Sequence, residues 1–219
     1  MRIARALVSG KPRIVITDAG VSRLAPESHP DDALLALAGA RAGDTDAWAE
    51  IDLDALELLA PVAGVGKIIA VGLNYVDHTA ETGITQPERP LTFAKYATSI
   101  TGPTADVVVP DHLTQGVDLE AELALLIGRR CGGETPATLD DVAAYTVAND
   151  VSARDVQFGD VQWTRGKSFD TFTPLGPWLV TPEEFGSPEG HRIYADVNGE
   201  RLQEDDTAEM IFDVPTILA

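Results

Sequence analysis

The sequence predicts a strand-rich α+β fold, and three observations carry that prediction. Apolar residues come in short runs, such as Ile68–Gly72, bounded by glycine, proline and asparagine rather than spread over long helical periods. Asn198-Gly199 stands between two short β-type runs and is a strong local signal for a two-residue hairpin turn. Strands do not alternate regularly with long helices and no internal repeat is present, which argues against a doubly wound parallel sheet. With 219 residues, 44% hydrophobic and 23% charged, the chain can bury a self-sufficient core and is unlike disordered or fibrous sequences.

Taken in order, Ile3–Val8 and Ile14–Ile16 read as a hairpin hinged on Ser9-Gly10-Lys11-Pro12. A helix follows over Asp31–Leu37, with Ser28-His29-Pro30 offering the cap and acids placed at the positive helix end. A short acidic segment, Glu50–Leu59, leads to Pro61, and the boundary falls there: residues 1–62 form a small N-terminal domain and 63–219 a second one. Beyond it, Ile68–Gly72 is a strand, Tyr75–Glu81 a helical turn, and Pro87 and Pro90 punctuate a loop. Leu119–Ile127 and Pro177–Val180 read as strands, Leu139–Val147 as a helix, and Ile193–Leu202 as the Asn-Gly hairpin.

Composition narrows the function. Sixteen Lys and Arg against 35 Asp and Glu give a formal charge of -19, which repels phosphate backbones and anionic membranes, and no basic patch overrides it. No apolar run approaches the roughly 20 residues that span a bilayer. The single cysteine, Cys131, excludes an internal disulfide and, with no charged-then-apolar leader after Met1, fits a cytoplasmic protein.

Val117-Asp118-Leu119-Glu120-Ala121-Glu122-Leu123 alternates acids with apolar residues at period two, so in a strand the three acids share one face. Neighbours about 6.6 Å apart repel by about 2.5 kcal/mol per pair at an effective dielectric near 20. A cation removes that cost, and all-oxygen ligands favour a hard ion: Mg2+ or Mn2+, with Ca2+ a further option. The competing reading is a solvated acidic edge strand. Against it, the same segment continues into Ala124, Leu125 and Leu126, as a strand buried on both sides does. Asp150, in Asn149-Asp150-Val151-Ser152, is a further ligand candidate or else a turn device.

His78 and Glu81 are three apart, so on one helical turn their side chains meet, as an acid-base pair or as a surface ion pair. The second histidine of a His-Glu-x-x-His zinc motif is absent. Lys167, in Arg165-Gly166-Lys167-Ser168-Phe169-Asp170, lacks the upstream glycines of a phosphate loop and is an anion binder or an ordinary lysine. Tyr75 and Gln157 are compatible with substrate contacts or with purely structural roles. Ser152, Ser168 and Cys131 have no base in sequence context to make them nucleophiles.

These pieces stand in an order that resembles the fumarylacetoacetate hydrolase family. The segments are Ile69-Ala70-Val71-Gly72-Leu73-Asn74-Tyr75 with Asp77-His78 and Glu81, Asp118–Leu123, Asn149–Gln157, and Gly166–Asp170. The resemblance covers roughly residues 68–219. It implies a catalytic domain built as a mixed β-roll of that family's C-terminal type, commonly a homodimer, with a divalent ion near its middle. By motif, Glu120, Glu122 and Asp150 look like the metal ligands, Asp118 falls just outside the set, and His78 with Glu81 resembles the acid-base pair. Gln157 and Lys167 match positions that reach substrate or metal, and Arg154 supports the ligand loop. The family pattern also implies a Thr-Gly-Thr-Pro type segment beyond Ala219, so the chain reads as a fragment or as lacking its tail.

The implied function is a metal-dependent hydrolase that cleaves a carbon–carbon bond in a β-diketo acid such as an acylpyruvate. Its partner is then a small keto acid rather than a nucleic acid or membrane. The same enolate-stabilising site also suits isomerisation of a 2-hydroxy-dienoate or decarboxylation of oxaloacetate. A non-catalytic binding protein with a degenerate site is the reading from another class. The presence of His78, Glu81, Glu120, Glu122, Asp150 and Lys167 together argues against it.

Overall fold

The structure, a computed structural model, describes residues 1–76 and 85–219. The His78–Glu81 pair and most of the expected 75–81 helical turn lie outside the described residues. What is described is sheet-rich. Arg2–Val8 and Lys11–Asp18 pair antiparallel from Arg2 opposite Thr17 to Val8 opposite Lys11, and Val21–Leu24 adds a third strand. Two tight turns make this meander. Ser9 and Gly10, then Ala19 and Gly20, all adopt positive φ, matching the right-handed twist of the strands they join.

The meander belongs to a larger sheet. Arg2 and Ile3 pair with Val180 and Leu179, and Val180 pairs in turn with Tyr145. The strand Val142–Asn149 is then flanked by Ala121–Ile127, so strands from the first 59 residues and from residues 121–180 form one eight-stranded sheet. Its core gathers Ile3, Ile14, Ile16, Leu37, Ala144 and Leu179. A second cluster of Val151, Ala153, Val156 and Phe172 packs beneath the loops that follow Asp150. Among the described strands the one parallel pairing joins Thr173–Pro174 to Ile100–Thr101, in keeping with an α+β fold. No described helix is long and apolar enough to cross a membrane.

Three sequence expectations need correction. The first helix runs Ala33–Arg41 and is capped by Asp32, whose carboxylate accepts from the Leu34 and Leu35 amides at 2.9 and 3.0 Å, rather than by Ser28. Asp31, expected inside the helix, instead pairs with Arg5. The expected 139–147 helix is a single 3-10 turn, Leu139–Asp141, followed by the strand Val142–Asn149. Residues Val142 to Thr146 are all buried, and a run with no polar face carries no period to separate strand from helix. The acidic ladder, finally, is two strands: Val117–Asp118 pairs with Ser152–Ala153, whereas Ala121–Ile127 pairs with Val142–Asn149. Leu119 and Glu120 lie at the change of partner, so the three acids do not form one flat row.

The Asn198-Gly199 hairpin is as expected, with strands Arg192–Val197 and Glu200–Asp206 and φ of 53° and 85° in its turn. It seats on the acidic segment through Gln203, whose amide accepts from the Ala121 N–H at 2.7 Å and donates to the Ala121 carbonyl at 3.0 Å.

Candidate active site

The site forms where the acidic segment changes partner. The Asp150 amide donates to the Glu120 carbonyl at 2.8 Å, and the Glu120 amide donates to Asn149 Oδ1 at 3.1 Å, which brings the two carboxylates together. The third component arrives by close backbone packing. Gly166 lies against the turn after Ala153, and its carbonyl accepts from the Ala153 amide at 2.8 Å. A Cβ on Gly166 would stand 2.7 Å from the Gln157 nitrogen and 3.0 Å from the Ala153 oxygen, so only glycine permits this approach. The approach delivers Lys167, which is 2% exposed.

Lys167 Nζ donates to Glu120 Oε2 at 2.6 Å and to Asp150 Oδ2 at 2.7 Å. A second ammonium was missed in the sequence. Lys95 ends the strand Leu91–Lys95, where Phe93 and Lys95 share the buried face, and it ion-pairs with Asp150 Oδ1 while donating to the Phe172 carbonyl at 2.9 Å. The available signal was a lysine at period two from a buried aromatic, but its partner lies 55 residues away. Burial lowers the pKa of Lys95, and the Asp150 carboxylate opposes that shift. Phe93 also lies under the Lys167 ammonium, 5.1 Å from ring centre to nitrogen.

Arg154 closes the outer side, with one guanidinium nitrogen 2.7 Å from Glu120 Oε1 and 3.0 Å from Gln157 Oε1. All four carboxylate oxygens of Glu120 and Asp150 therefore face a cation. Glu122 does not share this compensation: among the described residues its carboxyl group has no hydrogen bond or ion pair. Burial, and then the charges of Glu120 and Asp150, push its carboxyl up to about 8, with Lys167 and Lys95 offsetting only part of the effect. Tyr75 stands on the same side. Among the described residues its buried hydroxyl has no hydrogen-bond partner, and burial followed by Glu122, Asp205 and Asp206 raises its pKa. Asn74 holds this stretch by donating to the Phe212 carbonyl at 3.0 Å and accepting from the Phe212 amide at 2.9 Å.

The structure thus brings together Glu120, Asp150, Lys167, Arg154 and Gln157, places Glu122 and Tyr75 beside them, and adds Lys95. Among the described residues no three acids, histidines or cysteines stand as a ready-made metal site. The donor chemistry still fits a hard divalent ion. Three carboxylates share one small region, and Glu122 is held there against its own charge, a cost that a cation relieves.

Known proteins resemble this chain over most of its length. Residues 67–219 match the family model described as fumarylacetoacetate hydrolase, C-terminal. A 2,4-didehydro-3-deoxy-L-rhamnonate hydrolase from Sphingomonas sp. (strain SKA58) is 39% identical over 212 residues, 95% of this chain and 73% of that protein. A human mitochondrial oxaloacetate tautomerase is 46% identical over 165 residues, 74% of this chain and 52% of that protein, so the chain spans about half the tautomerase's length. Among solved structures, a fumarylacetoacetate hydrolase from psychrophilic Exiguobacterium antarcticum superposes with a TM-score of 0.82 at 34% identity, covering 100% of this chain and 79% of that one.

Proposed function

The chain belongs to the fumarylacetoacetate hydrolase family, and we propose that it is a divalent-metal-dependent hydrolase that cleaves a carbon–carbon bond in a β-diketo acid such as an acylpyruvate. The observation that carries this reading is the pairing of two buried ammoniums with Glu120 and Asp150 beside a Glu122 that they compensate only in part. Such a site is built around a cation and is suited to holding negative oxygen. Glu120, Glu122 and Asp150 would hold Mg2+ or Mn2+, with Ca2+ a third option. When bound, the ion supplies Lewis-acid stabilisation to the carboxylate and keto oxygens of the substrate.

The protein's own residues do the rest. Lys167 adds positive charge at the developing enolate oxygen, and Gln157 orients the keto acid by hydrogen bonding. His78, the base that the family resemblance implies with Glu81 as its partner, would take a proton from water as the water oxygen adds to the distal carbonyl. The carbon–carbon bond then breaks, one fragment leaves as a free acid, and the electron pair remains on the pyruvate enolate. Return of the proton to carbon yields pyruvate. By its nomenclature, a 2,4-didehydro-3-deoxy acid carries carbonyls at C2 and C4 around a methylene, the same β-diketo pattern. As the family resemblance implies, the working form is a homodimer.

A second reading, keto–enol tautomerisation of oxaloacetate, is favoured by the 46% identity to a tautomerase. It uses the same enolate stabilisation and omits the attack by water. The test is an assay of acylpyruvates, oxaloacetate and 2-hydroxy-dienoates with Mg2+ or Mn2+. Pyruvate and a free acid formed in equal amounts are expected. Interconversion of keto and enol forms with no bond cleavage would replace the hydrolase reading by the second.

A further inference from the structure

We propose that Asp118, whose side chain among the described residues reaches the site only through Arg154, is a positioning residue that aims the Arg154 guanidinium and through it sets Glu120 and Gln157. The inference rests on the site reading above. Asp118 is brought to Arg154 by the short strand pair that places it opposite Ser152, and the Arg154 amide donates to the Gly116 carbonyl at 2.6 Å on the same pair. One carboxylate oxygen of Asp118 accepts from Arg154 Nε at 3.0 Å and from a terminal nitrogen at 2.8 Å, while the other accepts from the Leu119 amide at 2.9 Å. A guanidinium is planar and rigid, so fixing this edge fixes the remaining nitrogen. That nitrogen is the one on Glu120 and Gln157.

The geometry separates stability from function. The Asp118 side chain is 54% exposed and that of Arg154 24%, so their pairing contributes little to the fold. Glu120 and the buried Gln157 take their orientation from it, and loss of such an outer partner weakens metal affinity or activity about 10- to 100-fold.

The test is a double-mutant cycle. Asp118→Ala, Asp118→Glu, Arg154→Ala and the Asp118→Ala/Arg154→Ala pair are compared with the unmodified chain. Three readouts are taken: the unfolding midpoint, the Mn2+ Kd by calorimetry, and KM and kcat on the keto acid that the unmodified chain turns over. Asp118→Ala is expected to keep the midpoint, weaken Mn2+ binding and lower kcat/KM about tenfold, with most of the loss recovered in Asp118→Glu. In the Arg154→Ala background, Asp118→Ala is expected to cost nothing further. An equal loss in both backgrounds, a loss that tracks a falling midpoint, or an active Mn2+-binding Asp118→Ala with unchanged constants overturns the role of Asp118 alone. An unmodified chain that neither binds Mn2+ nor turns over any keto acid overturns the site reading and this inference with it.

Discussion

Two ionic networks in this molecule use similar residue types for different ends. Around Asp150, two lysines and an arginine meet two carboxylates with Lys95, Lys167 and Asp150 at 4%, 2% and 7% exposure. On the 192–206 hairpin, Arg192 and Arg201 meet Asp196 and Glu204, and the Arg201 guanidinium lies 3.9 Å from the centre of the Tyr194 ring, all on the surface. The hairpin charges remain hydrated whether or not they are paired. Lys95, Lys167 and Asp150 have lost their water, so each depends on its partners and removing one leaves a buried charge. Ion pairs that look alike on paper thus differ in whether they can be taken apart.

The sharpest way to break this contrast is Lys167→Met. It is expected to lower kcat/KM by more than about a hundredfold, comparable to removing a donor that stabilises a developing oxyanion, measured on whichever keto acid the unmodified chain turns over. Lys95→Met comes next: it leaves Asp150 Oδ1 buried without its ammonium and is expected to destabilise the fold by about 3–5 kcal/mol in urea unfolding.

Glu122 sharpens the comparison through pH. Its carboxyl is pushed up to about 8 in the folded chain from an ordinary 4.5, so between these values the folded chain keeps a proton that the unfolded chain has released. Stability in a chelator is then full at low pH and falls by a few kcal/mol as pH rises through the window from 4.5 to 8. Glu122→Gln is expected to remove that fall, seen as a urea midpoint that no longer drops between pH 5 and 8. A smaller effect is expected of Gly166→Ala, which forces the Lys167 loop away from Gln157 and costs about 1–3 kcal/mol. At the bottom of the order, Arg201→Ala on the hairpin is expected to leave the unfolding midpoint unmoved. A large shift there would erase the distinction between the two networks.

Local chemistry made part of this legible in the sequence. Asn198-Gly199 specifies its turn because few residues tolerate two successive positive φ angles. Ser9-Gly10 and Ala19-Gly20 take the same conformation with weaker signals. Glu120, Asp150 and Lys167 are candidates in the sequence and do meet, whereas the row that period two predicts for Asp118, Glu120 and Glu122 does not form on one strand. The segment changes partner between Asp118 and Ala121, and pairing partners are not written in period-two alternation. Leu139–Val147 misled because a strand buried on both faces shows no alternation. Lys95 was missed because its role depends on a carboxylate from a distant strand. The fold class survived these errors, since it rests on many short elements rather than on any one.

Asp150 engages the protein at all of its polar atoms. Its oxygens face Lys95 and Lys167, its amide reaches the Glu120 carbonyl, and its own carbonyl accepts from Ser152 Oγ at 2.9 Å. Three distant stretches of sequence, those of Lys95, Glu120 and Lys167, are therefore tied to one residue. Amide hydrogen exchange should find Asp150 and Lys167, whose amides donate to the Glu120 and Trp163 carbonyls, opening together at a common rate, as one cooperative unit rather than as loops that fray singly.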